Sequence, residues 1–124
     1  MTAWTAKDLD RIGDAEEIDI ASARPDGSLR SYVTIWVVRV DDGLYVRSAF
    51  GTQNPWFRRA VAAGHGRIRA GGVEREAAFE APDHALDDAI TTAFHVKYDR
   101  FGAELVDPVV SQESAVATLR LTPR

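Results

Sequence analysis

Leu29-Arg30-Ser31-Tyr32-Val33-Thr34-Ile35-Trp36-Val37-Val38-Arg39-Val40, then Asp41-Asp42-Gly43, then Leu44-Tyr45-Val46-Arg47-Ser48, is the stretch on which the fold turns. Its first run is dense in β-branched and aromatic residues, which suit a pleated, half-buried surface. The Asp-Asp-Gly punctuation predicts a tight turn. The stretch therefore reads as a long strand, 29–40, folded back on a second, 44–48. Successive side chains of a strand point to opposite faces. Val33, Ile35, Val37, Leu44 and Val46 share one face, and Tyr32, Thr34, Trp36, Val38, Tyr45 and Arg47 share the other. This sorting holds whether the turn is Asp41-Asp42 or Asp42-Gly43. The aliphatic face is a core surface. The aromatic and cationic face either buries beneath a helix or a second subunit, or seats a ligand, because large exposed aromatic groups mark partner surfaces. Three aromatic rings around one arginine suit a planar ring that carries a phosphate.

On either side of this hairpin the signals are shorter. Residues 4–12 read as a helix, with Thr5 as N-cap and Asp8 three positions on. Residues 18–23 read as a strand, and Arg24-Pro25-Asp26-Gly27 as a turn. Asn54-Pro55 opens a helix, Asn as N-cap and Pro at the first helical position, with Gly64 or Gly66 ending it. Residues 67–70 and 73–79 form a hairpin around Gly71-Gly72. Arg69 there faces Glu74 and Arg67 faces Glu76, as ordinary cross-strand pairs. Pro82-Asp83 starts a longer helix with Leu86, Ile90, Phe94 and Tyr98 as its apolar stripe. Residues 116–122 make a last strand. Antiparallel hairpins outnumber parallel crossovers, so the fold class is α+β, a small β-barrel or sheet with flanking helices.

The chain has 124 residues and no cysteine, with 15 basic and 19 acidic side chains. That length fits one domain spanning residues 1–124. The missing cysteines exclude disulfides, thiolate metal sites and a cysteine nucleophile. No apolar run approaches a membrane span, and the first residues lack the pattern of a signal peptide, so a cytoplasmic protein is expected. Charge is segregated. Residues 24–75 hold nine arginines and four acidic residues, while the rest holds six basic and 15 acidic ones. An acidic chain with a basic middle is poorly suited to nucleic acid but well suited to a small anionic ligand held by a few arginines.

The loop 48–53 offers glycine, hydroxyls and a following helix N-terminus, with Arg58 and Arg59 in the first turn. A helix N-terminus attracts an anion, and arginines placed there oppose the dipole until one binds. His65, His84 and His95 have no metal-ligand spacing, and neither nucleophile-elbow nor P-loop patterns occur. Lys97-Tyr98 reads as a proton donor or as a snorkelling lysine beside a packed tyrosine. No self-sufficient catalytic set is present, so any chemistry would belong to a bound cofactor.

Ile35-Trp36-Val37-Val38-Arg39-Val40, Leu44-Tyr45-Val46-Arg47-Ser48, Gly51, Asn54-Pro55-Trp56 and Ile68-Arg69-Ala70-Gly71-Gly72 together resemble the FMN-binding split-barrel superfamily. The pyridoxamine 5′-phosphate oxidase-like and deazaflavin-dependent nitroreductase branches are the most similar. With Gly72-Val73-Glu74-Arg75 and Lys97-Tyr98 included, nearly the whole chain resembles a bacterial family, domain of unknown function 2255. The resemblance implies an α+β fold built on a mainly antiparallel, six-stranded split β-barrel with flanking helices. It also implies a homodimer with FMN or deazaflavin across the subunit groove. By position, the cofactor contacts fall on Arg30, Tyr32, Arg47, Ser48, Ala49, Asn54 and Trp56, with Arg58 beside them. Trp36 joins this set from the face sorting. Arg47 and Arg58 are expected at the phosphate, Trp36 and Trp56 at the ring or groove wall, and Ser48 and Asn54 as polar contacts. The function implied is a flavin- or deazaflavin-dependent oxidoreductase passing hydride to a small organic acceptor. The alternative is a cofactor-free dimeric binding module on the same barrel.

Overall fold

The computed structural model describes residues 3–124. Five helices, α1 (Ala6–Asp14), α2 (Pro55–Ala63), α3 (Asp87–Tyr98), α4 (Ala103–Val110) and α5 (Gln112–Ala115), surround seven strands. The strands are β1 (Ile18–Ser22), β2 (Val33–Ile35), β3 (Val38–Val40), β4 (Gly43–Arg47), β5 (His65–Ala70), β6 (Val73–Glu80) and β7 (Thr118–Pro123). They form one sheet in the order β2-β1-β5-β6-β7-β4-β3, and every pairing is antiparallel. Among the described residues no helix is long and apolar enough to cross a membrane.

The predicted long strand is therefore two strands. β2 pairs with β1 on one edge of the sheet, β3 pairs with β4 on the other, and only Trp36 and Val37 separate them. Chain continuity closes the curled sheet, and counting β2 and β3 as one broken strand gives six staves. At the break Val37 has no strand partner. Its N–H donates to the Tyr98 hydroxyl (3.1 Å), and its carbonyl accepts from Lys97 Nζ (2.6 Å) and from the Tyr98 hydroxyl (3.0 Å). Buried peptide groups need partners, and the end of α3 supplies them. Of the predicted stretch before Val33, only Leu29 takes part in pairing, through an isolated bridge to Ala23.

The two faces of the central hairpin separate two cores. Val37, Leu44 and Val46 lie inside the barrel with Ile18, Ile20, Ile68, Leu119 and Leu121, and α1 and α2 add Leu9, Ile12, Trp56 and Phe57. Val38 and Tyr45, paired across the hairpin, pack outside it against Ile90, Phe94, Tyr98, Val106 and Val109 of α3 and α4. Of the aromatic and cationic face, Val38, Tyr45 and Arg47 are thus buried under helices of the same chain, whereas Tyr32 and Trp36 are half-buried and Thr34 is exposed. α4 and α5 are elements that the sequence pattern did not announce, because Pro108 interrupts the helical signal midway through α4. Elsewhere the local expectations hold. Thr5 caps α1 by accepting from the Asp8 N–H (3.1 Å), Gly64 ends α2 with φ 74°, and the Gly71-Gly72 turn has φ 57° and 81°. Arg67 and Arg69 lie opposite Glu76 and Glu74 in register, yet their ion pairs go to Glu74 (3.2 Å) and Asp19 (3.1 Å).

Candidate functional site

The sheet topology brings two separate segments together. α2 runs directly into β5, and β5 pairs with β1 so that Ser22 lies opposite Gly66. The loop that leaves β1 is thereby set beside α2, and the Ala23 N–H donates to the His65 carbonyl (3.1 Å). That loop is stiffened locally. Asp26 accepts from the Ser28 N–H (3.0 Å) and hydroxyl (2.6 Å), and the Arg24 guanidinium donates to the Leu29 carbonyl (2.8 Å). The hydrogen bonds from Ser28 hold the Asp26 carboxyl below its ordinary value.

Between the loop and α2 lies a groove of about 690 Å3. Arg24 and Arg30 line it from the loop, Arg58 and Arg59 from α2, and His65 from the start of β5. Ala23, Pro25, Pro55, Ala62 and Ala63 make its apolar wall, and no carboxylate lines it. Arg24 is committed to the loop. The Arg30, Arg58 and Arg59 guanidinium groups have no hydrogen-bond or salt-bridge partner among the described residues, whereas Arg39, Arg67, Arg69 and Arg100 each pair with a carboxylate. The first turn of α2 holds no acidic residue, and Asn54 makes no side-chain cap bond there. A smaller recess adjoins the groove, where Trp56 lies with Arg30 and Arg59. Guanidinium groups without counter-charges, near a helix N-terminus, are arranged to hold a phosphate or carboxylate.

The residues expected at a cofactor site do not converge on one place. Arg30 and Arg58 meet across the groove, Trp56 borders its recess, and Asn54 caps the helix beside it. Arg47 is elsewhere. It is 2% exposed, and its guanidinium donates to Thr118 Oγ1 (3.0 Å), Thr91 Oγ1 (2.8 Å), the Val109 carbonyl (3.1 Å) and the Asp87 carbonyl (3.0 Å). Every bond is internal, and the group packs over the Phe94 ring (5.5 Å). Burial lowers its pKa, against the pull of nearby Asp87. Arg47 ties β4 to α3 and α4, and the expectation that it faces a phosphate is corrected accordingly.

Ser48 is fully buried. Its N–H donates to the Ala117 carbonyl, and the Phe50 and Gly51 N–H groups are also taken within the chain. Half of the backbone N–H groups of the loop 48–53 are thus taken within the chain, and Ala49 packs into the outer core. Trp36 is stacked on Tyr98 with ring centroids 4.1 Å apart and planes 4° apart. Tyr32 carries the Arg69 guanidinium over its ring (3.8 Å). These residues serve contacts within the chain; Tyr32 sits between Ser31 and Val33, both of which line the recess beside the arginine groove.

Arg59 joins the groove beside Arg58, as its place in the first turn of α2 leads one to expect, and Arg24 and His65 complete it from outside the expected set. Arg24 and His65 could be placed only by knowing that β1 and β5 pair.

The barrel closed through a broken strand, with α2 beside the β1 loop, is matched by sequence as well as by shape. The family DUF2255, described as an uncharacterized protein conserved in bacteria, matches residues 8–121. The chain belongs to DUF2255. No curated protein matches its sequence. Among solved structures, a conserved hypothetical protein from Mycobacterium tuberculosis is similar at a TM-score of 0.61 and 12% identity, over 99% of this chain and 81% of the other. An FAD-binding protein from Mesorhizobium loti is similar at 0.57 and 14% identity, over 98% and 89%. An F420 reductase is similar at 0.52 and 16% identity, over 94% and 90%. At such identities the likeness is one of fold, and DUF2255 shares the split barrel with these proteins.

Proposed function

We propose that this DUF2255 protein binds a flavin-type cofactor, FMN or a deazaflavin, through its phosphate in the groove between the β1 loop and α2. One observation carries the reading: Arg30, Arg58 and Arg59 line one groove without a counter-charge. Unpaired cations held close together repel one another, and an anionic group relieves that cost. The apolar wall of alanines and prolines suits the edge of a heterocycle, and Trp56 in the adjoining recess adds an aromatic surface. Likeness in fold to an FAD-binding protein and an F420 reductase supports the same reading. A bound flavin or deazaflavin supplies hydride transfer, here to a small organic acceptor. The protein's own residues bind and orient it: Arg30 and Arg58 grip the phosphate from opposite sides, and Arg59 adds charge. A second copy of the chain would cover the open side of the groove.

The test separates phosphate from ring. FMN should raise the melting temperature and riboflavin, which lacks the phosphate, should not. Arg30→Ala and Arg58→Ala should each weaken FMN about tenfold, the worth of one charge-assisted hydrogen bond. Arg120→Ala, outside the groove, should leave affinity unchanged. Equal binding of FMN and riboflavin, or full affinity in both groove variants, overturns the assignment. A colourless protein that no flavin or deazaflavin stabilises would leave the cofactor-free module as the function.

A further inference from the structure

The chain has three histidines, His65, His84 and His95. His84 and His95 each hold a carboxylate, Asp87 at 3.1 Å and Asp99 at 2.8 Å. His65 differs. Among the described residues its ring has no hydrogen-bond or ion-pair partner, and it stands half-buried in the wall of the arginine groove. The pairing of β1 with β5 that forms the groove also fixes His65, whose carbonyl accepts from the Ala23 N–H (3.1 Å). An unpaired imidazole thus shares one groove with the unpaired Arg30, Arg58 and Arg59 guanidinium groups.

We propose, resting on the reading of this groove as a phosphate site, that His65 is a further anion-binding residue there and takes up a proton as the anion binds. Neutral imidazole carries one N–H and one lone pair, whereas imidazolium offers two donors and a charge. Imidazole is also the ordinary side chain whose charge changes between pH 5 and 8. An anion seated among the arginines gives the imidazolium a counter-charge within the same groove. Ligand and proton therefore favour each other, by the same factor in either direction. The arginines keep their charge throughout this range, so His65 alone makes the grip of the groove depend on pH.

No carboxylate of the chain takes the place of that anion. The β1 loop brings Arg24, Arg30 and Asp26 to this side of the molecule, and Asp26 is held by the Ser28 N–H and hydroxyl. α2 brings Arg58 and Arg59. On β6, Ala78 lies opposite His65, with Glu76 and Glu80 to either side on the same face. Glu76 lies opposite Arg67 and Glu80 opposite Arg120, and neither glutamate lines the groove.

Sulfate is the probe, because its charge is constant across this range, whereas a phosphate ester itself loses a proton near pH ~6. Titration calorimetry of the full chain at low salt should find sulfate bound about tenfold more tightly at pH 5.5 than at pH 8, the worth of one charge-assisted hydrogen bond. Midway between them the heat of binding should vary with the ionisation enthalpy of the buffer, because protons are taken up. His65→Gln keeps a polar side chain without the charge. It should bind sulfate equally at both pH values, with a heat independent of buffer, whereas His84→Gln and His95→Gln should behave as the parent chain. Arg58→Ala should weaken sulfate at both pH values and preserve the ratio between them. Sulfate that Arg58→Ala weakens, but that binds the parent chain equally at both pH values, overturns the role of His65 alone. So does a pH dependence that survives His65→Gln. Sulfate that binds at neither pH overturns the phosphate reading of the groove and this role with it.

Discussion

Arg47 meets two threonine hydroxyls and two backbone carbonyls, from Thr118, Thr91, Val109 and Asp87, beneath α3 and α4. Removing the guanidinium strands buried acceptors, each costing about 1–3 kcal/mol. Arg47→Met is expected to lower stability by about 3 kcal/mol, read from denaturant unfolding, and to leave FMN affinity of the folded protein unchanged. Lys97 and Tyr98 give a pH signature. The folded chain releases the Lys97 proton near pH 8, and the unfolded chain near ~10.4, so the unfolded state binds more protons in between. Stability therefore rises with pH across that window. Burial pushes the Tyr98 hydroxyl up to about 12, whereas an unfolded tyrosine ionises near ~10, so stability falls as pH climbs from the second value to the first. Melting temperature should rise from pH 8 and turn down above pH 10 or so. Lys97→Met should erase the rise and Tyr98→Phe the fall; profiles that keep both limbs in these variants would assign them to other groups.

Among the elements, the pairing of β1 with β5 decides where the groove forms. Gly66 is the point of closest approach, because a Cβ there would stand 1.9 Å from the Ala21 carbonyl oxygen. Backbone cannot yield as a flexible side chain does. Gly66→Ala is expected to cost about 3 kcal/mol or more and to disturb the β1 loop, so that FMN binding weakens along with stability. Circular dichroism melts and FMN titration on one variant check both parts. The broken strand shows the same dependence on neighbours. β2 and β3 read as one strand because Val33 to Val40 is uniformly β-forming, and nothing local marks the change of partner at Trp36-Val37. The mark lies some sixty residues away, in Lys97 and Tyr98, whose side chains satisfy the break.

For the molecule as a whole, charge segregation survives folding in one concentrated form, the groove of Arg24, Arg30, Arg58 and Arg59 on a chain of net charge −4. α3 and α4 cover Val38 and Tyr45 of the aromatic face, which leaves only the half-buried Tyr32 and Trp36 of its rings for a second subunit. The proposed homodimer now rests on the family resemblance and on the open groove. Sedimentation should find a dimer at micromolar concentration, with Arg58→Ala still dimeric. A monomer that binds FMN with full affinity would show that one chain completes the site.

Alternation along 33–47 was enough to assign an aliphatic face to the barrel interior, and caps and glycines placed α1, α2 and the Gly71-Gly72 hairpin, because these signals are local. The arginines of the basic middle were equally legible as residues. Which of them bind a ligand was not. Arg47 and Arg58 both read as phosphate ligands along the chain, and only the packing of α3 and α4 turned one into a buried tie while leaving the other facing open space. Burial and partnership are set by segments distant in sequence, so the site belongs to the tertiary structure even where its residues do not.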